Sequence, residues 1–457
     1  MKNFLSLKKI KHIHFVGIVG ISMSGLAKLC LNMGKSVSGS DKIKSQITEE
    51  LAHLGVDVVY KHQKSNIQKA NLVVYTCAVG ENNIEVNFAR EKGVPTLERA
   101  EFLGIIAKQY KNVIAIAGSH GKTTVCGMVF KIFETAQKKP TMLVGGEVGK
   151  NNNLVIGEKD FLIVEACEYK EHFLKIGHTL GAITNIDYDH PDYFKTRYDY
   201  ENAFKQFAKQ SKECTIFGEK YSIFFEDLKK QQVLTFGNNG NFSARRIQQI
   251  EDKLVFDVYK YNNFFMTLSL NVIGKHNIKN ALCAIAVADF FNIEAHFIKR
   301  GLENFKSIKR RYEFMGKLND NVVITDYAHH PTQIKNVINA TREFYKMPIS
   351  VIFEPHTYSR TKVLFNDFVD ALSLADNVIM LPTYSAREKS LKGGSSKDIF
   401  NALKLKKINA IFTNSYKKCY RELEKLSKNV ILILGAGSVI KLAEKIKQNY
   451  LVKGKYI

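Results

Sequence analysis

The chain has 457 residues, which at roughly 100 to 200 residues per domain gives two to four domains, with three as the central expectation. Its 45% hydrophobic and 24% charged residues exclude a disordered, collagen-like or coiled-coil protein. The net charge of +23 suits nucleic acid, an anionic membrane or phosphate-rich substrates, but the basic residues are scattered and lack interleaved aromatics, so most read as solvated lysine surface.

The basic, then apolar, start imitates a secretion signal. Glycines and serines interrupt it and no small-residue cleavage site follows, so neither a signal nor a membrane span is expected. Residues 13–18, a glycine turn (Gly17, Gly20, Gly25) and a helical pattern over 23–33 read instead as strand, tight turn and helix. The dinucleotide fingerprint G-x-G-x-x-G fails, because Val19 and Ser22 stand where its later glycines belong. Gly20 and Gly25 still allow close approach of a diphosphate, and Ser40 and Asp41 follow the second strand, where an acid usually meets a ribose. A nucleotide diphosphate therefore fits better than NAD; a plain packing turn is the bland alternative. Strand-like runs at 35–40, 56–60 and 71–75 alternate with helical stretches, the pattern of a parallel sheet with crossover helices, and this unit ends near Lys108.

A second unit opens with a strand at 113–117 that runs into Gly118-Ser119-His120-Gly121-Lys122-Thr123-Thr124 and a helix to about Ala136. Backbone N–H groups of such a loop cradle phosphates, the lysine balances their charge and a threonine hydroxyl can face magnesium. The standard phosphate loop would need glycine at Ile116, so this is a variant of it. Strands at 161–165 and 181–186 end in Glu165 and in Asp187, Asp189 and His190. Magnesium takes oxygen ligands, so one or two of these acids would complete a nucleotide site, with Glu165 foremost. Residues 215–270 read as strand-rich and irregular, and helical periodicity resumes at 277–291.

A third unit starts near Ser307, with strands at 322–326, 350–353, 377–381, 410–413 and 430–435 alternating with helices. Its first two strands close on Asp326-Tyr327-Ala328-His329-His330 and on His356-Thr357-Tyr358-Ser359-Arg360, which together look like a carboxylate-binding wall. Arg310 and Arg311 are either a phosphate clamp or a surface pair. The fold expected is therefore α/β, three consecutive α/β domains over 1–108, 109–306 and 307–457: a Rossmann-like domain, a central phosphate-loop domain and a second Rossmann-like domain. Seven cysteines, none in a C-x-x-C pair, point to reduced thiols in a cytoplasm and away from disulfides or zinc.

Taken in order, HFVGIVGISMSGLA, SGSD, AGSHGKTT, VEACEY, TNIDYDH, GKHNIKNALCA, RRYEFMG, DYAHHPT and FEPHTYSRT resemble the Mur ligases, the ATP-dependent amide-forming enzymes of peptidoglycan synthesis, over nearly the whole chain. The resemblance implies UDP-N-acetylmuramate and L-alanine as substrates, ATP and magnesium as cofactors, and a UDP-sugar domain, an ATPase domain and a closing domain. It implies Lys122 and the loop amides on the phosphates, Thr123, Glu165 and His190 at the metal, and Asn185, Asn277 and Asn280 on the adenine side. Arg311 would contact the transferred phosphoryl or the acyl group and Asp326 the ATP. Gly17, Gly20, Ser22, Ser40 and Asp41 would hold the UDP-sugar, and Tyr327, His329 and Arg360 the alanine. Thr357, Cys167 and Val19 depart from the family pattern, which has arginine, aspartate and glycine there. A monomer or weak homodimer is expected, without nucleic acid or membrane insertion. A murein-peptide recycling ligase, and in a different class a basic nucleic-acid-binding ATPase, are the alternatives.

Overall fold

The computed structural model describes residues 6–80, 82–146, 153–228, 232–251, 253–386 and 388–449. It is an α/β protein with three sheets, taken by the chain one after another. The first contains β1 (His12–Val16), β2 (Ser36–Ser40), β3 (Asp57–Val59), β4 (Leu72–Tyr75) and β5 (Thr96–Glu98), all parallel in the order β3-β2-β1-β4-β5. The order reverses between β1 and β4, the position at which open α/β sheets receive ligands.

The central sheet has ten strands: β6 (Asn112–Ala117), β7 (Thr141–Leu143), β8 (Leu154–Val155), β9 (Phe161–Glu165), β10 (Leu180–Ile183), β11 (Cys214–Gly218), β12 (Gln232–Phe236), β13 (Phe242–Ile250), β14 (Lys253–Lys260) and β15 (Asn263–Leu270). Its parallel core places β6 between β10 and β9, so the phosphate loop leaves mid-sheet with an acidic strand end on one side and the 184–190 loop on the other. The stretch 215–270, irregular in sequence, resolves into β11, β12 and an antiparallel extension β13-β14-β15. Register breaks between Arg245 and Gln248 and between Val258 and Tyr259 interrupt the alternation that would have revealed these strands.

The third sheet runs β16-β17-β21-β18-β19-β20, comprising β16 (Glu313–Leu318), β17 (Asn321–Asp326), β18 (Ile349–Phe353), β19 (Asn377–Met380), β20 (Asn409–Phe412) and β21 (Val430–Leu434). Only β16 is antiparallel, as an edge. Every residue of β17, β18 and β21 is buried, which is why these strands read as continuous apolar runs without alternation.

One apolar cluster joins the first two units. Phe102, Leu103 and Ile106 of the helix Arg99–Ala107 share it with Phe173, Phe204 and Phe207 of the central unit. A Cβ on Gly104 would collide with the Lys175 carbonyl, so glycine here lets two backbones meet. The third unit has two clusters of its own, drawn from residues 312 onward. All seven cysteines are unpaired and five are buried. Among the described residues, no helix is long and apolar enough to cross a membrane.

Candidate active site

Strand β6 delivers Gly118 with φ +134° and Gly121 with φ +82°, backbone that side chains rarely adopt. A Cβ on Gly118 would also strike the Thr184 hydroxyl. The loop is held from the neighbouring strand end: Asn185 Oδ1 accepts the His120 N–H at 2.9 Å, and the Ser119 hydroxyl donates to the Asp187 carbonyl at 2.7 Å. Helix Lys122–Thr135 starts directly behind it, so its unsatisfied N–H groups and positive end face the same space.

Within this loop Lys122 Nζ lies 2.8 Å from Glu168 Oε2 and 2.5 Å from the Gly118 carbonyl. Burial alone would lower the lysine pKa and raise that of the acid; their mutual attraction overrides it, pushing Lys122 up and holding Glu168 at about 2. His190 Nε2 stands 3.4 Å from the other Glu168 oxygen. The Thr123 hydroxyl donates to Glu165 Oε2 at 3.0 Å, and the Gly145 N–H donates to the same oxygen at 2.9 Å. Thr123 and Glu165 thus meet beside the loop, and His190 reaches it through Glu168. A hydroxyl, a carboxylate and a nearby imidazole, with room for phosphate oxygens, fit magnesium's preference for mostly oxygen ligands.

The cavity at the helix start, about 200 Å³, is lined from two units. The central unit gives His120, Gly121, Thr124, Asn277 and Asn280, and the third unit gives Arg311, Asp326 and Gln333. Asn277 and Asn280 are tied to each other at 2.9 Å on the buried first turns of helix His276–Phe290. A second cavity of about 400 Å³ continues past Asn185, Lys220 and Lys279. Burial raises the pKa of Asp326, against the pull of Arg311, and its oxygens cap the Tyr312 and Ala328 N–H groups. Both arginines lie against the Tyr327 ring, but Arg310 turns to the Gly435 carbonyl whereas Arg311 lines the cavity.

The other expected residues lie in two further places. Gly17 has φ +83° and its N–H donates to the Ser40 carbonyl, while Asp41 accepts the Val19 N–H at 3.1 Å, so turn and acid form one lip at the end of β1 and β2. The Ser40 hydroxyl points inward to Glu85, and Ser22 accepts a hydrogen bond from Arg99 at 3.2 Å. Beside that lip a cavity of about 550 Å³ is lined by Lys42, Tyr60, His62 and Asn83. Tyr327, His329 and Arg360 gather at the ends of β17 and β18, with His329 and His356 rings 5.8 Å apart. Arg360 does not stand open: it is 4% exposed and its Nε donates to Asp189 Oδ1 at 2.7 Å. Asp189, grouped in sequence with the magnesium acids, is thereby committed elsewhere.

Sequence reasoning passed over Glu168, His276, Gln333 and Glu85. Glu168 stood three residues beyond Glu165 in a segment already singled out, and only its pairing with Lys122 marks it. His276 adjoins Asn277 and lines the cavity, where burial, Arg311 and His120 hold its pKa at about 4. Gln333 donates to His120 Nδ1 at 3.0 Å from the third unit, a contact with no sequence signal. Glu85, fully buried, would be raised by burial but is held at about 2 by His14, Ser40 and His62.

Three family models cover the chain: the Mur ligase family catalytic domain over 12–111, the Mur ligase middle domain over 116–288 and the Mur ligase glutamate ligase domain over 310–438. A UDP-N-acetylmuramate–L-alanine ligase of Clostridium beijerinckii is 40% identical over 458 residues, spanning 97% of this chain and 98% of that protein. Among solved structures, a UDP-N-acetylmuramate-alanine ligase from Thermotoga maritima superposes with TM-score 0.81 at 27% identity, over 96% of this chain and 98% of that one. A murein peptide ligase from Psychrobacter arcticus shares the fold, with TM-score 0.72 at 22% identity over 97% and 100%.

Proposed function

The chain belongs to the Mur ligase family, an ATP-dependent family, and from that premise we propose that it joins L-alanine to the lactyl carboxylate of UDP-N-acetylmuramate, releasing ADP and phosphate. The observation that carries this reading is the near-full-length identity to the clostridial alanine ligase; the geometry of the cavity agrees with it. The domains are taken as 1–108 for the UDP-sugar, 109–306 for ATP and 307–457 for closure and the amino acid. The enzyme is read as cytoplasmic, monomeric or weakly dimeric, and independent of nucleic acid.

In this reading Lys122 and the amides of Gly118 to Thr124 hold the ATP phosphates, with Glu168 keeping the lysine charged and aimed. Asn185, Asn277 and Asn280 take the adenine side, and Asp326 reaches the nucleotide from the third unit. Magnesium would be held by Thr123, Glu165 and His190, and when bound it supplies charge neutralisation on the phosphates. Gly17, Gly20, Ser22, Ser40 and Asp41 form the lip for the UDP-sugar. A lactyl carboxylate oxygen attacks the γ-phosphorus and ADP leaves. The amine of L-alanine then attacks the acyl carbon, and phosphate leaves from the tetrahedral intermediate. Arg311 is placed to offset charge on the transferred group. Tyr327, His329 and Arg360 form the alanine pocket, and burial keeps His329 neutral, so it sets no positive charge against the amino group of the incoming alanine.

The test is phosphate release from Mg-ATP with UDP-N-acetylmuramate, comparing no amino acid, L-alanine, glycine, L-serine and murein tripeptide. Release that requires both the UDP-sugar and L-alanine is expected; release with tripeptide alone would overturn the reading. Lys122→Ala should lower turnover by at least about a thousandfold, since it removes the loop's charge and strands Glu168.

A further inference from the structure

Arg360 is supplied by the third unit but oriented by the central one. Its Nε donates to Asp189 Oδ1 at 2.7 Å, and its Nη1 faces His356 Nδ1 at 3.2 Å and the His356 carbonyl at 3.1 Å. Three N–H directions of the guanidinium fork are thereby fixed, and among the described residues Nη2 makes no hydrogen bond, leaving its two N–H groups for a ligand anion. Asp189 is 3% exposed, and apart from the N–H of its neighbour His190 at 2.7 Å its carboxylate bonds to Arg360. A buried carboxylate of this kind, meeting a buried guanidinium across two units, holds the planar group in one rotamer.

We propose that Asp189 is a positioning residue for the amino-acid substrate: it fixes the guanidinium of Arg360 so that Nη2 meets the substrate carboxylate, and it completes the amino-acid pocket only when the third unit is docked. The proposal rests on the reading of Arg360 as part of the alanine pocket. It adds that the ATP-binding unit sets the orientation of this pocket's arginine. The next residue, His190, lies 3.4 Å from Glu168, which in turn grips Lys122. One loop therefore sets the amino-acid anchor through Asp189 and, through His190, touches the phosphate-loop lysine's partner.

The test compares steady-state constants of Asp189→Asn, Arg360→Lys and the unaltered protein, using L-alanine and L-alaninamide, which lacks the carboxylate. Asp189→Asn keeps the volume and an acceptor oxygen but drops the charge that aligns the fork. It should raise the L-alanine KM by about 10- to 50-fold while the KM values for ATP and UDP-N-acetylmuramate stay within about twofold. The preference for L-alanine over L-alaninamide in kcat/KM should fall by a similar factor. An unchanged alanine KM and preference in Asp189→Asn overturns the proposal. So does a rise in all three KM values together with an equal loss on L-alaninamide, the mark of a residue that only holds units together. If Arg360→Lys leaves the alanine KM unchanged, the alanine-pocket reading beneath the proposal fails instead. Should Asp189→Asn not fold, Asp189→Glu takes its place: it keeps the charge but displaces it by one methylene, and the same split is expected.

Discussion

Where the first unit meets the central one, Phe102, Leu103 and Ile106 pack into one cluster with Phe173, Phe204 and Phe207, and Gly104 brings a helix against the backbone at Lys175. Where the central unit meets the third, the contacts beyond the linker at Ile308 include Arg360 on Asp189, Gln333 on His120, His330 on the Tyr188 carbonyl at 3.3 Å, and the His120 and His330 rings 4.7 Å apart. The first seam opens only by exposing apolar area, at about 25 cal/mol per Å². The second is made largely of directional polar contacts whose groups water can satisfy once the units part; a neutral one contributes about 1 kcal/mol net and a charged one about 1.5–3 kcal/mol. The third unit is therefore the one expected to part more readily from the rest, and the cavity shared by Arg311, Asp326 and the phosphate loop lies on that seam.

The largest effect should come from the apolar seam. Phe173 is fully buried and stacks on Phe207 with ring centroids 4.9 Å apart. Phe173→Ala should cost about 3–5 kcal/mol by leaving a cavity that the rigid surroundings cannot fill. Calorimetry should show the first and central units melting earlier and still together; two separated transitions for these units would show that the seam is not one core.

Acid should act on the other seam. Histidine in water titrates near 6.5, whereas burial holds His276, His330 and His356 at about 4 and His329 well below its ordinary value. The docked state favours their neutral forms, so an undocked state takes up protons first as pH falls below 6.5. Docking then weakens progressively until about pH 4, with the raised pKa of Asp326 offsetting part of the loss. At the first seam His172 is the comparable group. Small-angle scattering between pH 7.5 and 4.5 should show the radius of gyration rising before the apolar seam melts; a constant radius would remove the contrast.

What the sequence made legible follows the same division. Strand β6, the loop it feeds and the buried strands of the third sheet were readable because periodicity and glycine turns are local signals. Glu165 could be expected at a metal because strand ends in such sheets face ligands, whereas His190 was placed there by the resemblance to the Mur ligases. The seams could not be read. Gly104 is one glycine in a helical pattern, and nothing local shows that Lys175 lies against it. Asp189 sat among three plausible metal acids, and its commitment to Arg360 depends on a loop meeting a residue 171 positions away. Glu168 was hidden for a similar reason, since its partner is what distinguishes it from a surface acid.

Gln333→Ala tests one bond across the polar seam. It removes the 3.0 Å contact to His120, together with the caps that Gln333 Oε1 gives the His329 and His330 N–H groups within the third unit. At about 1 kcal/mol for the bond that crosses the seam, the ATP KM should rise roughly fivefold, while loss of the caps lowers the melting temperature slightly. An effect as large as that of Phe173→Ala would mean the polar seam is as cooperative as the apolar one.

The smallest effect should come from Glu343→Gln, which breaks the ion pair of Glu343 with Lys275 across the same seam. Its length, 3.1 Å, resembles that of the Arg360 pair, but the two side chains are 54% and 64% exposed. Water screens such a pair and its two long side chains lose freedom in forming it, so it contributes roughly 0–1 kcal/mol. At physiological salt, where charges are screened over about 8 Å, the variant should keep kcat/KM within about twofold and the radius of gyration unchanged. Arg360 and Asp189 differ in burial, and burial, through the loss of competing water, is what makes a directional contact able to fix a unit's position. If Glu343→Gln opened the molecule as far as acid does, rim charge would be holding the seam, and the division drawn between its buried contacts and its surface would be wrong.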